Sequence, residues 1–415
     1  MRRITSKDLL DMKWVSDPQI SPDGKSVLFT VKTVDPKDKA KKYRTRIYLA
    51  QNGKVAPFTS GPKNDISPRW SPDGSTVAFL SERGEDKTQM FLISFDGGEA
   101  KQLTSRKDGV SEPVWSPDGK KIAFSAVCEN TGDEADMPSG TEDGFGSGGE
   151  VGGGDGVSSG DGADSETSTA LFDGKSDVRV ITSIRYKLNG RGFLPEKKAQ
   201  ILVVDVETGE IEQLTSGPYD CREPKWSPDG KHVAFTSARF EDNELTSVRD
   251  IYVVSVEKMG CAANADAADV IGASDARNAS SGCGGRSLRK VTGTDHSLGG
   301  LSWSPDGKSI AFYGHNNEYR GATIAGVCVV PADGGDIRHL TRETELAVAN
   351  SAGGDMGGSP ATEPTWSEDS KTIYFTALDR GRTHLYSVDS ESKKITQLTS
   401  GDCIVSGWTK ARLDN

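Results

Sequence analysis

The pentapeptide Trp-Ser-Pro-Asp-Gly occurs four times, at Trp70–Gly74, Trp115–Gly119, Trp226–Gly230 and Trp303–Gly307. An isoleucine version stands at Ile20–Gly24 and a worn copy, WSEDS, at Trp366–Ser370. Each copy has the same surroundings. A short apolar run such as EPVW or EPKW leads into it. A run of the type KKIAF, STVAF, KHVAF or KTIYF leaves it. After a variable loop come segments such as TQMFLIS, AQILVVD, RDIYVVS or THLYSVD, and then FDGGEAKQLT, TGEIEQLT or KKITQLT. Repetition at this scale limits the fold more than any single motif. Each copy must be one supersecondary unit that buries its apolar faces against its neighbours.

The turn chemistry explains the pentapeptide. Proline presets φ at the first corner of a tight turn, aspartate suits the second, and glycine takes positive φ where the next strand begins. The tryptophan before the turn supplies a large apolar plate. Four strand-like runs per repeat point to an all-β fold, a β-propeller of four-stranded blades. Successive SPDG starts are 50, 45, 111, 77 and 63 residues apart, so the later repeats carry insertions. The count predicts six complete blades plus the first strand of a truncated seventh. That strand is VSGW at Val405–Trp408, followed by TKARLDN rather than another turn. The chain 1–415 thus reads as a single propeller domain, with residues 404–415 as an incomplete seventh blade. Either the ring contracts to six blades with Ile404–Asn415 frayed, or, as is favoured, it stays open and is expected to self-associate or to need a partner.

Two insertions stand apart. Residues 129–177 are rich in Gly, Ser and acidic residues, a composition that cannot bury a core and is expected to be disordered. Between Glu129 and Asp177 there are 13 Asp and Glu against one Lys, so the net charge of −11 is local and the rest of the chain is close to neutral. No basic face is offered to nucleic acid or to an anionic membrane. Residues 257–287 form a second insertion, rich in Ala, Gly and Ser. The N-terminus MRRITSKDLLDMKWV lacks an apolar signal core, and no run of about 18 apolar residues occurs. These features, with six cysteines and no CxxC pair, suggest free thiols in a cytoplasmic protein. Cys261 and Cys283 flank the second insertion and are the one pair worth testing as a disulfide.

Candidate chemistry is sparse. GVSSG at Gly156–Gly160 matches G-x-S-x-G, but that motif needs a strand before it and a helix after it, and here Gly, Ser and Asp lie on both sides. Acidic stretches such as GGGDG lack calcium-loop spacing. The histidines, His232, His296, His315, His339 and His384, read as dispersed among repeats. His296 and His315, near loops, are the better candidates. The basic run Lys37–Arg46 reads as a solvated loop between two strands. No residue is assigned a catalytic, cofactor-binding or metal-binding role, and none is assigned to substrate.

The ordered string resembles the N-terminal β-propeller of the prolyl oligopeptidase family of serine peptidases, in its acylaminoacyl-peptidase and dipeptidyl-peptidase-like branch. The resemblance rests on ITSKDLLDMKWVSDPQISPDGKSVLFTV, SPRWSPDGSTVAFLSERG, IRYKLNGRGFLPEKKAQILVVDVETGEIEQLT and QLTSGDCIVSG, and runs from Ile4 to about Gly407. Single blades resemble those of TolB as well. In that family a propeller, usually of seven blades, caps an α/β-hydrolase domain that carries a Ser-Asp-His triad. No position here matches the triad, so the resemblance implies a non-catalytic, substrate-gating half. Its implied partners are a separately encoded α/β-hydrolase domain, peptides at the propeller channel, and further copies meeting through the open blade, with no cofactor. Two alternatives are a stand-alone TolB-like interaction propeller and a lyase using the propeller channel, which would need a convergent metal site.

Overall fold

The computed structural model describes residues 5–35, 43–61, 63–84, 87–128, 181, 183–188, 192–193, 197–241, 243–258, 285–293, 295–319, 322–349 and 363–411. The chain divides into two compact units, 1–131 with 196–415, and 132–195. In the second, Lys187–Leu188 pairs antiparallel with Gly192–Phe193, and Tyr186 packs on Phe193 with ring centroids 6.2 Å apart. The whole of the 129–177 insertion lies outside the described residues, as do 259–284 of the second insertion, Cys261 and Cys283, GVSSG, and 37–42 of the basic run. Tyr43–Arg46 of that run belong to a strand, not a loop.

The first unit is a six-bladed β-propeller of antiparallel sheets. Blade 1 comprises Lys13–Ile20, Ser26–Val34, Tyr43–Gln51 and Lys54–Pro57. Blade 2 comprises Asp65–Trp70, Thr76–Ser81, Gln89–Ser94 and Lys101–Gln102. Blade 3 comprises Ser111–Trp115, Lys121–Cys128, Lys198–Asp205 and Ile211–Gln213. Blade 4 comprises Cys221–Trp226, His232–Ser237, Asp250–Ser255 and Leu288–Lys290. Blade 5 comprises Ser297–Trp303, Ser309–His315, Gly326–Pro331 and Arg338–His339. In blade 6 two short strands, Ala347–Val348 and Thr365–Trp366, share the inner position against Thr372–Asp379, and Arg382–Asp389 and Ile395–Gln397 follow. Both long insertions join strands within one blade, where a loop grows without disturbing the ladder.

The SPDG turn is a closed hydrogen-bond unit. In blade 4, Ser227 Oγ donates to Asp229 Oδ1 at 2.5 Å and accepts from the His232 amide at 3.0 Å, while Asp229 Oδ1 also accepts from the Lys231 amide at 3.0 Å. The Gly230 amide closes the turn on the Ser227 carbonyl at 2.9 Å. Gly230 sits at φ 70°, which favours glycine, and in the worn copy Ser370 takes the same conformation at φ 60°. The tryptophan does more than its apolar plate suggests. Its indole N–H donates to a backbone carbonyl of the preceding blade: Trp70 to Gln19, Trp115 to Arg69, Trp226 to Val114, Trp303 to Lys225 and Trp366 to Ser302, at 3.0–3.2 Å.

Packing between blades is where the core lies. Five apolar clusters fill the five spaces between consecutive blades from 1 to 6. The phenylalanine eight residues after each turn serine faces the preceding blade. Phe79, Phe124, Phe235, Phe312 and Phe375 are all 0% exposed, but Phe29 of blade 1 is only partly buried. On the opposite face, Ala78, Ala123, Ala234 and Ala311 are 0% exposed against the following blade. Blade 6 has the larger, partly exposed Tyr374 there. A closed ring of six blades has six interfaces. Among the described residues the sixth, between blades 6 and 1, has no such cluster.

The C-terminal segment enters that space. The amide of Val405 donates to Thr383 O at 2.9 Å, as Val110 does to Thr88 O where blade 2 passes to blade 3. Trp408 packs edge-on to Tyr374, with centroids 6.3 Å apart, and Lys410 pairs with Glu368 of blade 6 at 2.8 Å. On the other side, Thr409 Oγ1 accepts from the Ile20 amide of blade 1 at 3.2 Å. Within residues 404–411 the sole ladder contact is a bridge between Ile404 and Thr383. A strand needs a partner, and no second strand of a seventh blade stands beside Val405–Trp408 in the described residues.

Candidate functional site at the inner strands

The first strand of each blade packs against the first strand of the next, so these strands encircle the propeller axis. Each of the first five is interrupted by a bulge in its pairing with the second strand. At the bulge one residue turns left-handed: Asp17 at φ 51°, Ser67 at 54°, Glu112 at 57°, Glu223 at 59° and Gly300 at 67°. In four of the five the next residue is proline, which restricts the residue before it. A non-glycine residue at positive φ costs about 1–3 kcal/mol, and bulges commonly re-aim a side chain. Here the compensation is visible.

Glu112 Oε2 accepts from Ser125 Oγ at 2.5 Å and from the Glu223 amide of the next blade at 3.0 Å. Glu223 Oε2 accepts from the Gly300 amide, again one blade on, at 2.9 Å. Asp17 accepts from Arg69 Nη1 of blade 2 at 3.0 and 2.9 Å and from Gln19 Nε2 of its own strand at 2.8 Å. Glu363, before Pro364, pairs with Lys225 of blade 4. Burial, reinforced by the nearby charge of Glu112, pushes the Glu223 carboxyl up, and the Gly300 amide only partly offsets this. Three of the bulge residues, Asp17, Glu112 and Glu223, and Glu363 of blade 6 are thus carboxylates that each meet a donor from another blade. Such a set tolerates a cationic or amide-bearing chain near the axis and does not itself make a nucleophile.

Other sequence candidates fall elsewhere. His232 and His384 lie on strands of blades 4 and 6. The expectation that the histidines are dispersed among repeats is overturned for three of them. His296, His315 and His339 all belong to blade 5 or the crossover into it, and His296 Nε2 lies 3.3 Å from His339 Nε2. They are 43 residues apart in sequence, and their meeting depends on which face the short outer strand presents, a detail that the repeat pattern does not encode. The acid-Pro-x-Trp pattern at Glu112, Glu223 and Glu363 was visible in the sequence and could have pointed to the axial carboxylates. Cys128 and Cys328 are buried thiols, pushed up by desolvation, Cys328 to about 12. Among the described residues no three His, Cys, Asp or Glu side chains converge as a metal site. No described helix is long and apolar enough to cross a membrane.

Comparison with known proteins agrees with this architecture. A family model, the TolB beta propeller domain, matches residues 10–141. The uncharacterized peptidase YuxL of Bacillus subtilis is 31% identical over 389 residues, covering 94% of this chain and 50% of YuxL. The uncomplexed acylaminoacyl peptidase of Pyrococcus horikoshii superposes with a TM-score of 0.63 at 15% identity, over 98% of this chain and 49% of that one. The β-propeller domain of the Trilobed protease of Pyrococcus furiosus, described as having an open velcro topology, superposes with a TM-score of 0.55 at 14% identity, over 96% of this chain and 88% of that domain. The chain spans about half the length of the curated relatives that it matches over most of its own length. The fold is a TolB-like β-propeller, similar in sequence to one half of a peptidase.

Proposed function

We propose that this chain is the substrate-gating propeller half of a two-part serine-type peptidase and has no peptidase activity by itself. The observation that carries this reading is the match of 94% of the chain to 50% of a peptidase. The open interface adds support. Phe29 on one side and Tyr374 on the other are partly exposed where their equivalents are covered by a neighbouring blade. On this reading the hydrolase half, in a longer polypeptide or as a separate chain, covers these partly exposed rings. The fixed axial carboxylates suit passage of extended peptides, whose amide and amine groups are donors.

The test is hydrolysis of acylated and free aminoacyl chromogenic substrates by the purified chain, together with a fluorophosphonate probe. The proposal expects neither turnover nor a labelled serine. Specific labelling of one serine in this chain would overturn it. A stand-alone interaction propeller is the second reading, favoured by the family model over residues 10–141. It predicts a monodisperse monomer, whereas the gating half should self-associate or bind its hydrolase.

A further inference from the structure

Four side chains around the entry to blade 5 form a continuous chain. Asp295 Oδ1 meets His296 Nδ1. His296 Nε2 lies 3.3 Å from His339 Nε2, and His339 Nδ1 lies 3.2 Å from Cys328 Sγ. His296 ends the crossover from blade 4, while Cys328 and His339 are paired residues on the third and outer strands of blade 5. His296 also ties backward, because its carbonyl accepts from the Arg249 amide of blade 4 at 3.0 Å. One residue therefore holds blade 4 through its backbone and blade 5 through its ring.

A metal ion is the first alternative to weigh. The imidazole planes are 25° apart and the centroids 5.4 Å, well beyond the nitrogen separation, so the rings meet through their nitrogen edges. With bonds of about 2.0–2.1 Å, a zinc-like ion spans 3.3 Å only if both lone pairs turn toward a point off the line joining them. Facing nitrogens instead suit an N–H···N hydrogen bond. No third ligand converges among the described residues.

The direction of the chain follows from its two ends. The exposed Asp295 carboxylate accepts from Nδ1–H of His296, which leaves Nε2 of that ring as an acceptor. His339 must then donate from Nε2, and its Nδ1 accepts from Cys328, a thiol that burial keeps protonated. Each ring nitrogen has one partner while both rings are neutral, and Cys328 Sγ also reaches the Gly314 and Gly326 carbonyls, at 3.7 and 3.9 Å. A proton added at His296 Nε2 sets two N–H groups against each other. One added at His339 Nδ1 faces a thiol hydrogen.

We propose that the His296–His339 bond is an acid-released latch between blades 4 and 5. The groups around it give little help to an added proton. His315 stands beside His296, Arg342 of blade 5 and Lys393 of blade 6 face His339, and Asp295 is the anion that meets the pair. On the blade 4 side, Asp250 is engaged by Lys290 at 3.0 Å and Thr292 at 3.1 Å. Burial is the first cause that holds His339 and His315 below the usual histidine range, and a proton on His296 would push both lower. The sign follows. The opened state binds more protons than the closed one below the ordinary value of about 6.5, so the latch is fully effective above that pH and weakens as pH falls toward the depressed values.

Two measurements on the full chain test this. Long-range nitrogen–proton NMR at pH 7.5 should find His296 as the Nδ1–H tautomer and His339 as the Nε2–H tautomer. Hydrogen exchange, corrected for intrinsic rates, should show the Arg249 amide and residues 291–297 opening several-fold more often at pH 5 than at pH 7.5. In His339→Gln that acid response should vanish. The reverse tautomers in the wild type, no acid response in the wild type, or an equal response in the variant would overturn the latch. The wild-type measurements decide the matter alone if the variant does not fold.

Discussion

The six phenylalanines that follow the turns supply an internal comparison. Phe235 is 0% exposed between blades 3 and 4, and its ring stacks on Tyr252 with centroids 5.7 Å apart. Phe29 holds the same place in blade 1 and stacks on Tyr48 at 6.1 Å, but its outer face meets no neighbouring blade cluster. Truncating a fully buried phenylalanine to alanine costs about 3–5 kcal/mol, the sum of lost transfer energy and the cavity left behind. At Phe29 part of the ring is already wet and the cavity opens outward. The remaining loss is the stack, about 0.5–1.5 kcal/mol, plus a fraction of the transfer term, so about 1–2 kcal/mol is expected. Urea unfolding followed by tryptophan fluorescence should therefore show Phe235→Ala to be the more destabilising, by at least about 1.5-fold over Phe29→Ala. Equal losses would mean that blade 1 is covered as fully as the others, and the reasoning about an open interface would fail.

Other consequences follow from the same geometry. Ser227→Ala removes the donor to Asp229 and the acceptor for the His232 amide, and should lower stability by about 1–3 kcal/mol in thermal unfolding. Trp226→Phe keeps an aromatic plate but strands the Val114 carbonyl, whereas the Trp408 indole N–H has no partner among the described residues. Trp408→Phe should accordingly cost less than Trp226→Phe in the same assay. The turn aspartates Asp23, Asp73, Asp118, Asp306 and Asp369 are held low chiefly by the neighbouring serine hydroxyl, which in Asp229 competes with a larger opposing effect of burial. Lowered carboxylates contribute stability above the unfolded value of about 3.9 and lose it as pH falls through the folded values. Circular dichroism should show the stability of His339→Gln almost level from pH 7 to 5 and falling below pH 4, with the wild type losing in addition the latch's share between pH 7 and 5. A steep loss between pH 7 and 5 in His339→Gln would point to groups outside both the turns and the latch.

Much of the fold was legible because the repeat carries its own geometry. Ser-Pro-Asp-Gly specifies a turn through local bonds, and the phenylalanine eight residues after its serine is buried in five of the six blades. The six copies of the motif correspond to the six blades. The indole N–H of each tryptophan was not legible, because its partner is a carbonyl in the preceding blade, 46 to 112 residues away. The axial carboxylates were half legible. Glu112-Pro113 and Glu223-Pro224 repeat in the sequence, but a pre-proline residue is expected to be extended, and the left-handed turn at the bulge appears only once the inner strands are placed side by side. The histidine pair was hidden for a similar reason. Ring contacts between a crossover and an outer strand of two residues depend on loop path rather than periodicity.

The claim that the ring is open between blades 6 and 1 is tested most directly by native-state hydrogen exchange in low urea. Blades covered on both sides should open only with the whole propeller, while end blades lose fewer contacts and should open alone. The account predicts that amides of Ser26–Val34 and Thr372–Asp379 exchange through sub-global openings of lower free energy than those of His232–Ser237 and Lys121–Cys128. A single common opening free energy for all six blades, falling with urea at one common slope and independent of protein concentration, would contradict it.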